Sequence, residues 1–224
     1  MLDDYRRGFG PAYELVVHTV REKLSLQPTG RPAKSTGAIV EKLHRETIRL
    51  SQVQDVAGCR IVVDGIPEQD KAVAALAAAF PKASIVDRRI APTHGYRAVH
   101  VVAEVSGKLV EIQVRTALQH TWAELSEKLS DVLDPAIKYG GGPDDVKEAL
   151  KKGSAAVNSL EETEVQVAGL LAAMAQRAGK ETPEADKDAA ATLRARLVVI
   201  REQLHDALRA SVSTWVARGE RPGQ

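Results

Sequence analysis

The chain has 224 residues, enough for one α/β domain with a helical extension or for two small domains. Its 31 Lys and Arg balance 30 Asp and Glu to a net charge of +1, which excludes a global electrostatic footprint for nucleic acid and leaves only local binding of polyanions. Aromatic residues make up 4% against 44% apolar residues overall, so the core must be built from Ala, Val, Leu and Ile.

A single cysteine, Cys59, excludes an internal disulfide and a Cys-based zinc site. Lying between Gly58 and Arg60 in an apolar run, it reads as a small core residue. No apolar run approaches the roughly 18 residues of a membrane helix. The N-terminal segment lacks the apolar core of a signal peptide. A cytoplasmic protein with no membrane partner is expected.

Residues 3–25 read as a helix, with Tyr13, Leu15, Val16, Val20 and Leu24 as apolar positions. Residues 27–37, with two prolines and two glycines, read as a loop. A helix over 36–50 puts Ile39, Val40, Leu43 and Leu50 on one arc and Ala38, Lys42, Arg45 and Arg49 on the other. A strand at 57–64 follows, then a helix at 67–80 with Pro67 in its first turn, a short strand at 83–89 and a loop at 90–95.

Two Val- and Ile-rich runs around Ser106-Gly107 predict a β-hairpin. A two-residue turn pairs Val105 with Lys108, and so sets Glu111 opposite Val102, Gln113 opposite His100 and Arg115 opposite Ala98. Because side chains alternate faces, Val99, Val101, Ala103, Val110, Ile112 and Val114 share an apolar face. Tyr96, His100, Glu111, Gln113 and Arg115 share the other, which is either a wet sheet surface or a site.

A helix at 117–133 starts where the hairpin ends, and Trp122 belongs to its core face with Leu118 and Leu125. Residues 139–145 mark a boundary. Beyond it Leu150, Val157, Leu160, Val167, Leu171 and Met174 recur at helical spacing. An interruption at 178–188 separates them from Leu193, Leu197, Ile200, Leu204, Leu208 and Trp215. Two long amphipathic helices form a helical hairpin whose stripes face each other, the first domain or another subunit. Residues 218–224 read as a frayed end.

Five blocks then stand in an order that resembles a known family: RPAKSTGAIVEKLHRE from Arg31, QDVAGCRIVV from Gln54, HGYRAVH from His94, EIQVRT from Glu111 and TWAELSEK from Thr121. They are similar to the RelA/SpoT synthetase domain, over roughly residues 12–139, and the compact length is similar to the small alarmone synthetases. The resemblance implies an α/β (α+β) fold with a nucleotidyltransferase-like mixed sheet flanked by helices over 1–139. The C-terminal helical hairpin over 140–224 would follow it, with homo-oligomerisation as a possible use.

It also implies a GTP pyrophosphokinase of the stringent response, which moves the β,γ-pyrophosphate of ATP onto the 3′-hydroxyl of GDP or GTP with Mg²⁺ as cofactor. By the same resemblance Asp55 and Glu111 are the metal-binding carboxylates, and Glu111 also activates the 3′-hydroxyl. Lys34, Lys42 and Arg45 meet the ATP phosphates, and Arg31 and Arg60 sandwich adenine. Tyr96 stacks on guanine and His100 lies beside the acceptor's phosphates. Gln113 and Arg115 complete the polar face, on substrate or as orienting groups.

The chain also departs from the family. Arg31 precedes Lys34 by one residue more than is usual. Ala38 replaces a serine, leaving Ser35 or Thr36 to substitute. The segment from Asp87 to Tyr96 is one residue short and lacks a lysine near Thr93, offering Arg88 and Arg89 instead. His120 stands for the asparagine that reads guanine in the acceptor site. These changes keep two other readings open: an enzyme that pyrophosphorylates the 3′-end of tRNA, with Arg88 and Arg89 on the RNA backbone, and a non-catalytic nucleotide sensor or interaction protein. The presence of both carboxylates speaks against the last.

Overall fold

In a computed structural model, residues 2–178 and 184–219 are described. The chain divides into two compact units, Met1–Ala91 with Ala98–Ala117, and Pro92–Arg97 with Leu118–Gln224. Among the described residues no helix is long and apolar enough to cross a membrane.

The first unit is built on a five-stranded mixed sheet in the order β1-β2-β5-β4-β3. The strands are β1 (Thr29–Arg31), β2 (Ala57–Val63), β3 (Ser84–Asp87), β4 (Val99–Val105) and β5 (Lys108–Thr116). β2 and β5 run parallel and the other neighbours antiparallel. The hairpin has the expected register: Val105 pairs with Lys108, Val102 with Glu111 and His100 with Gln113. Ser106 and Gly107 both have positive φ, 50° and 71°, as a tight hairpin turn with right-handed strands requires.

The alternation then sorts the side chains. Val101, Ala103, Val110, Ile112 and Val114 are fully enclosed on one face, with Ala57, Cys59 and Ile61 from β2. Helices α2 (Gly10–His18) and α4 (Ile66–Ala79) pack against them through Val16, Val17, Ala72 and Leu76. Cys59 is the core residue expected, and burial pushes its thiol up to about 12.

Several expectations are corrected here. The N-terminal helix is two helices, α1 (Leu2–Arg7) and α2, because the chain turns at Gly8 and Phe9. Gly8 N–H donates to Asp4 O at 3.0 Å, Phe9 is buried, and a proline opens α2. The helix then widens into a π turn at Thr19–Lys23. Leu15 lies outside the apolar stripe, half exposed.

The expected loop at 27–37 contains β1, too short and too polar to show a strand pattern. An added Cβ at Gly30 would fall inside the Gly58 carbonyl and Cys59, so only glycine lets these two edges close. The next helix, α3 (Thr36–Glu46), is capped by Ser35, whose Oγ accepts Ala38 N–H at 3.2 Å. It ends four residues early because Thr47 turns left-handed at φ 50°. Leu50 falls in a separate 3₁₀ turn, Arg49 leaves the basic face, and Val40 is exposed.

The second unit holds α5 (Ala117–Val132) from Leu118 onward, a 3₁₀ turn at Pro135–Tyr139, α6 (Asp144–Ala178) and α7 (Glu184–Gly219). Leu118, Trp122, Leu125 and Leu129 form the apolar stripe of α5, packed with Leu150, Val157, Leu160 and Leu208. Trp122 is core, as expected, and its Nε1–H donates to Leu150 O at 2.8 Å. Arg201 clasps Glu164 with two hydrogen bonds, fastening α7 to α6. The stripes turn inward only in part, since Met174, Leu193 and Ile200 stay exposed. Of the expected interruption at 178–188, residues 184–188 are helical and 179–183 lie outside the described residues, as do residues 220–224 of the tail.

Ile112 is wholly enclosed in the central strand. Ile112→Ala is expected to cost about 2–5 kcal/mol through lost contacts and the remaining cavity. Urea unfolding checks this, and an unchanged midpoint would contradict the placement of that face in the core.

Candidate active site

The polar face of the sheet is not a wet surface. The Glu111 side chain is 14% exposed and that of His100 10%. Three β5 positions, two residues apart, form a relay. Arg115 Nη2 donates to Gln113 Oε1 at 2.8 Å, and Gln113 Nε2 donates to Glu111 Oε2 at 2.8 Å. From β4, His100 Nδ1 lies 2.9 Å from Glu111 Oε1. With the carboxylate ionised, that nitrogen carries the proton and donates. Burial works to raise the Glu111 pKa, but the His100 hydrogen bond and charge, with the Gln113 bond, outweigh it and hold the carboxyl below its ordinary value.

The neighbouring strand approaches Glu111 closely. Gly58 is the β2 partner of Glu111, and an added Cβ there would lie 2.9 Å from Glu111 O and 3.6 Å from Glu111 Cβ. Arg31 pairs with Gly58 from β1, while Arg60 pairs with Thr29 on one side and Gln113 on the other. Arg31 and Arg60 therefore share the polar face, on adjacent strands and two residues apart in register. Gly58 lies beside Glu111, and a glycine inside a strand is itself a sign of close approach.

Asp55 lies just before β2 and carries two cations. Lys34 Nζ bonds one carboxylate oxygen, and Lys42 Nζ lies 3.0 Å from the other. Lys42 also lies 3.7 Å from Glu46, and Arg45 pairs with the same Glu46 at 3.1 Å. Lys34 N–H donates to Val56 O at 2.7 Å, so the loop is tied to the residue after Asp55. Burial acts to raise the Asp55 pKa, and the bonds and charges of Lys34 and Lys42 overcome it, so the carboxyl is held below its ordinary value. The charge of Asp55 in turn acts on Glu111, opposing its ionisation.

The first unit thus brings together Lys34, Lys42 and Asp55, and separately His100, Glu111, Gln113 and Arg115, on one sheet and the segments leading into it. Tyr96 and His120 belong to the second unit. Tyr96 is not on the hairpin strand as expected. It closes a turn, its N–H donating to Thr93 O at 2.9 Å, because His94 and Gly95 both have positive φ. Gly95 is pressed against Trp122, where a Cβ would come within 2.8 Å, and its carbonyl accepts Ser154 Oγ–H at 2.6 Å. His120 Nε2 lies 3.5 Å from Glu124.

Arg89 is engaged otherwise than the RNA reading requires. Its guanidinium grips both oxygens of Asp87 and reaches Asp70 at 2.7 Å and Gln69 at 3.2 Å. Gln69, wholly buried on α4, donates to Val114 O at 2.8 Å. It braces β5 between Gln113 and Arg115, and nothing in the helix pattern marked it.

The residues that could hold a divalent cation are the two carboxylates. Asp55 and Glu111 offer hard oxygen ligands, and among the described residues no group of three or more His, Cys, Asp or Glu forms a ready cage. Mg²⁺ takes one or two carboxylates and completes its shell with phosphates and water.

The sequence and the fold that carry these two half-buried carboxylates, the lysines and the relay match known proteins. Residues 30–130 match the region found in RelA / SpoT proteins. Over 157 residues the chain is 34% identical to the GTP pyrophosphokinase YjbM of Bacillus subtilis, covering 63% of this chain and 71% of that one. The chain belongs to the RelA/SpoT family.

An uncharacterized protein of Mycobacterium tuberculosis is 39% identical over 116 residues, 50% of this chain, and the chain spans 42% of that relative's length. Small alarmone synthetase 1 of Bacillus subtilis, solved bound to its product pppGpp, is similar at TM-score 0.57 and 26% identity, covering 76% of this chain and 99% of that one. The same synthetase bound to AMPCPP matches at TM-score 0.51 and 26% identity, over 75% and 97% of the two chains.

Since the Asp55 pKa is depressed in the folded chain, its ion pairs contribute stability at neutral pH that is lost as pH falls below 3.8. Asp55→Asn is therefore expected to lower Tm at neutral pH, with the gap to wild type closing in acid below that value. Thermal melts across pH test this. A gap that keeps its size into acid would contradict the ion-pair assignment.

Proposed function

We propose that the chain is a (p)ppGpp synthetase, an ATP:GTP 3′-diphosphotransferase acting on GDP or GTP. One observation carries this reading: two carboxylates held ionised, Asp55 at the entry to β2 by two lysines and Glu111 on β5 by a histidine and an amide. The similarity to YjbM and to a synthetase solved with pppGpp and with AMPCPP supports it.

In this reaction the acceptor's 3′-oxygen bonds to the β-phosphorus of ATP. The bond from that phosphorus to the oxygen it shares with the α-phosphate breaks, and AMP leaves. Glu111 takes the 3′-hydroxyl proton. His100 and Gln113 each hold one carboxylate oxygen, so the base is oriented before substrate arrives. Lys34 and Lys42 offer their ammonium groups to the phosphates, and Arg31 and Arg60 flank the adenine as planar cations. Arg45 extends the basic helix, and Tyr96 and His120 serve the acceptor's base. Asp55 and Glu111 would hold Mg²⁺, which would supply charge neutralisation at the phosphates.

The remaining parts of the reading are a setting in the stringent response, a cytoplasmic location and homo-oligomerisation through the exposed residues of α6 and α7. Arg89's engagement with Asp87 and Asp70 weighs against the tRNA alternative.

Glu111→Gln keeps the size of the side chain and removes the base. Transfer is expected to fall by about 10²–10⁴-fold, while the Kd for AMPCPP measured without Mg²⁺ stays within about threefold of wild type, roughly 0.7 kcal/mol. Turnover equal to wild type would remove Glu111 from the base role.

A further inference from the structure

Helix α1 carries none of the residues described at the site, yet its Arg6 reaches the loop that carries Lys34. Arg6 Nε donates to Lys34 O at 2.5 Å and Nη1 donates to Thr36 Oγ1 at 3.0 Å. Arg6 Nη1 also donates to Asp3 Oδ1 at 2.7 Å, and Thr36 Oγ1–H donates to that same oxygen at 2.9 Å. Arg6, Asp3 and Thr36 thus form a closed triangle at the start of α3.

Lys34 is consequently tied at both of its backbone polar groups. Its N–H goes to Val56 O, and its C=O takes the Arg6 guanidinium. The outer side of the loop has little packing to replace these bonds. A cavity of about 370 Å³ opens there, lined by Asp3, Arg6, Arg7, Gly10, Pro32 and Ala33. A loop beside an open cleft is placed by its hydrogen bonds, and a forked guanidinium can serve two acceptors two residues apart where an ammonium serves one point.

We infer that Arg6 is a positioning residue for the ATP-binding loop, fixing the backbone from which Lys34 extends to Asp55 and the start of the helix that carries Lys42. The inference rests on the nucleotide reading given above. Its effect is specific to ATP: the loop belongs to the donor side, and Arg6 bonds no residue of the His100-Glu111-Gln113 relay in the interactions above.

The test uses the full chain as wild type, Arg6→Ala, Arg6→Lys and Asp3→Asn. AMPCPP binding with Mg²⁺ is measured by calorimetry, KM for GDP in the transfer assay, and Tm by melting. Arg6→Ala is expected to raise the AMPCPP Kd about tenfold, the size of one charge-assisted bond, with KM for GDP unchanged. Arg6→Lys should recover part of the loss. Asp3→Asn, an exposed change that leaves the fold intact, should weaken AMPCPP about twofold to threefold, at most roughly 0.7 kcal/mol.

Wild-type affinity in Arg6→Ala overturns the inference. So does an equal loss of AMPCPP and GDP affinity together with Tm, which marks general loosening. A wild-type chain that binds no AMPCPP overturns the nucleotide reading itself, and this inference with it.

Discussion

The parallel ladder between β2 and β5 sets Gly58 beside Glu111. Through that pairing, two carboxylates distant in sequence come to one sheet. Parallel strands need a crossover connection, so the chain must build α4, β3 and β4 between them before Glu111 can take its place. The register is enforced by burial. A slip of one residue would turn Val110, Ile112 and Val114 out of the core and drive Glu111, Gln113 and Arg115 into it. Gln69 adds a polar brace to the same strand at Val114. The apolar face therefore decides where the polar face can be.

The electrostatics follow from this placement. Glu111 is too enclosed to ionise cheaply without partners, and His100 and Gln113 supply them at both oxygens. Asp55 gathers Lys34 and Lys42, which would otherwise repel each other. In the proposed reaction, an anion of several charges such as a triphosphate would meet two positioned ammonium groups with one carboxylate between them. The near-neutral net charge of the chain would be no obstacle, because such an attraction is local. In the second unit, Gly95 pressed on Trp122 and bonded by Ser154 shows how the turn bearing Tyr96 is fixed by α5 and α6.

Much of this was legible in the letters. The alternation of Val99 to Val114 and the Ser106-Gly107 turn carry the hairpin register, and with it the grouping of His100, Glu111 and Gln113. The apolar spacing of α5 and α6 carries Trp122 and Leu150 into one core. What stayed hidden depends on distant partners. β1 is a strand only because β2 offers it an edge. The break at Gly8 and Phe9 is set by the burial of Phe9. α3 stops at Thr47 by a left-handed turn that threonine seldom takes. Tyr96 leaves the strand because His94 and Gly95 turn the backbone first. Gln69 and Arg6 act through contacts made 45 and 28 residues away, which no local pattern encodes.

In the proposed reaction these residues move a pyrophosphate from ATP to a guanine nucleotide. The most direct measurement is transfer of label from [γ-³²P]ATP with Mg²⁺, with GDP, GTP and deacylated tRNA offered in separate reactions. Label in GDP or GTP, with AMP released in equal amount, is the expected result. Label in tRNA alone, or no label while ATP still binds, would contradict it.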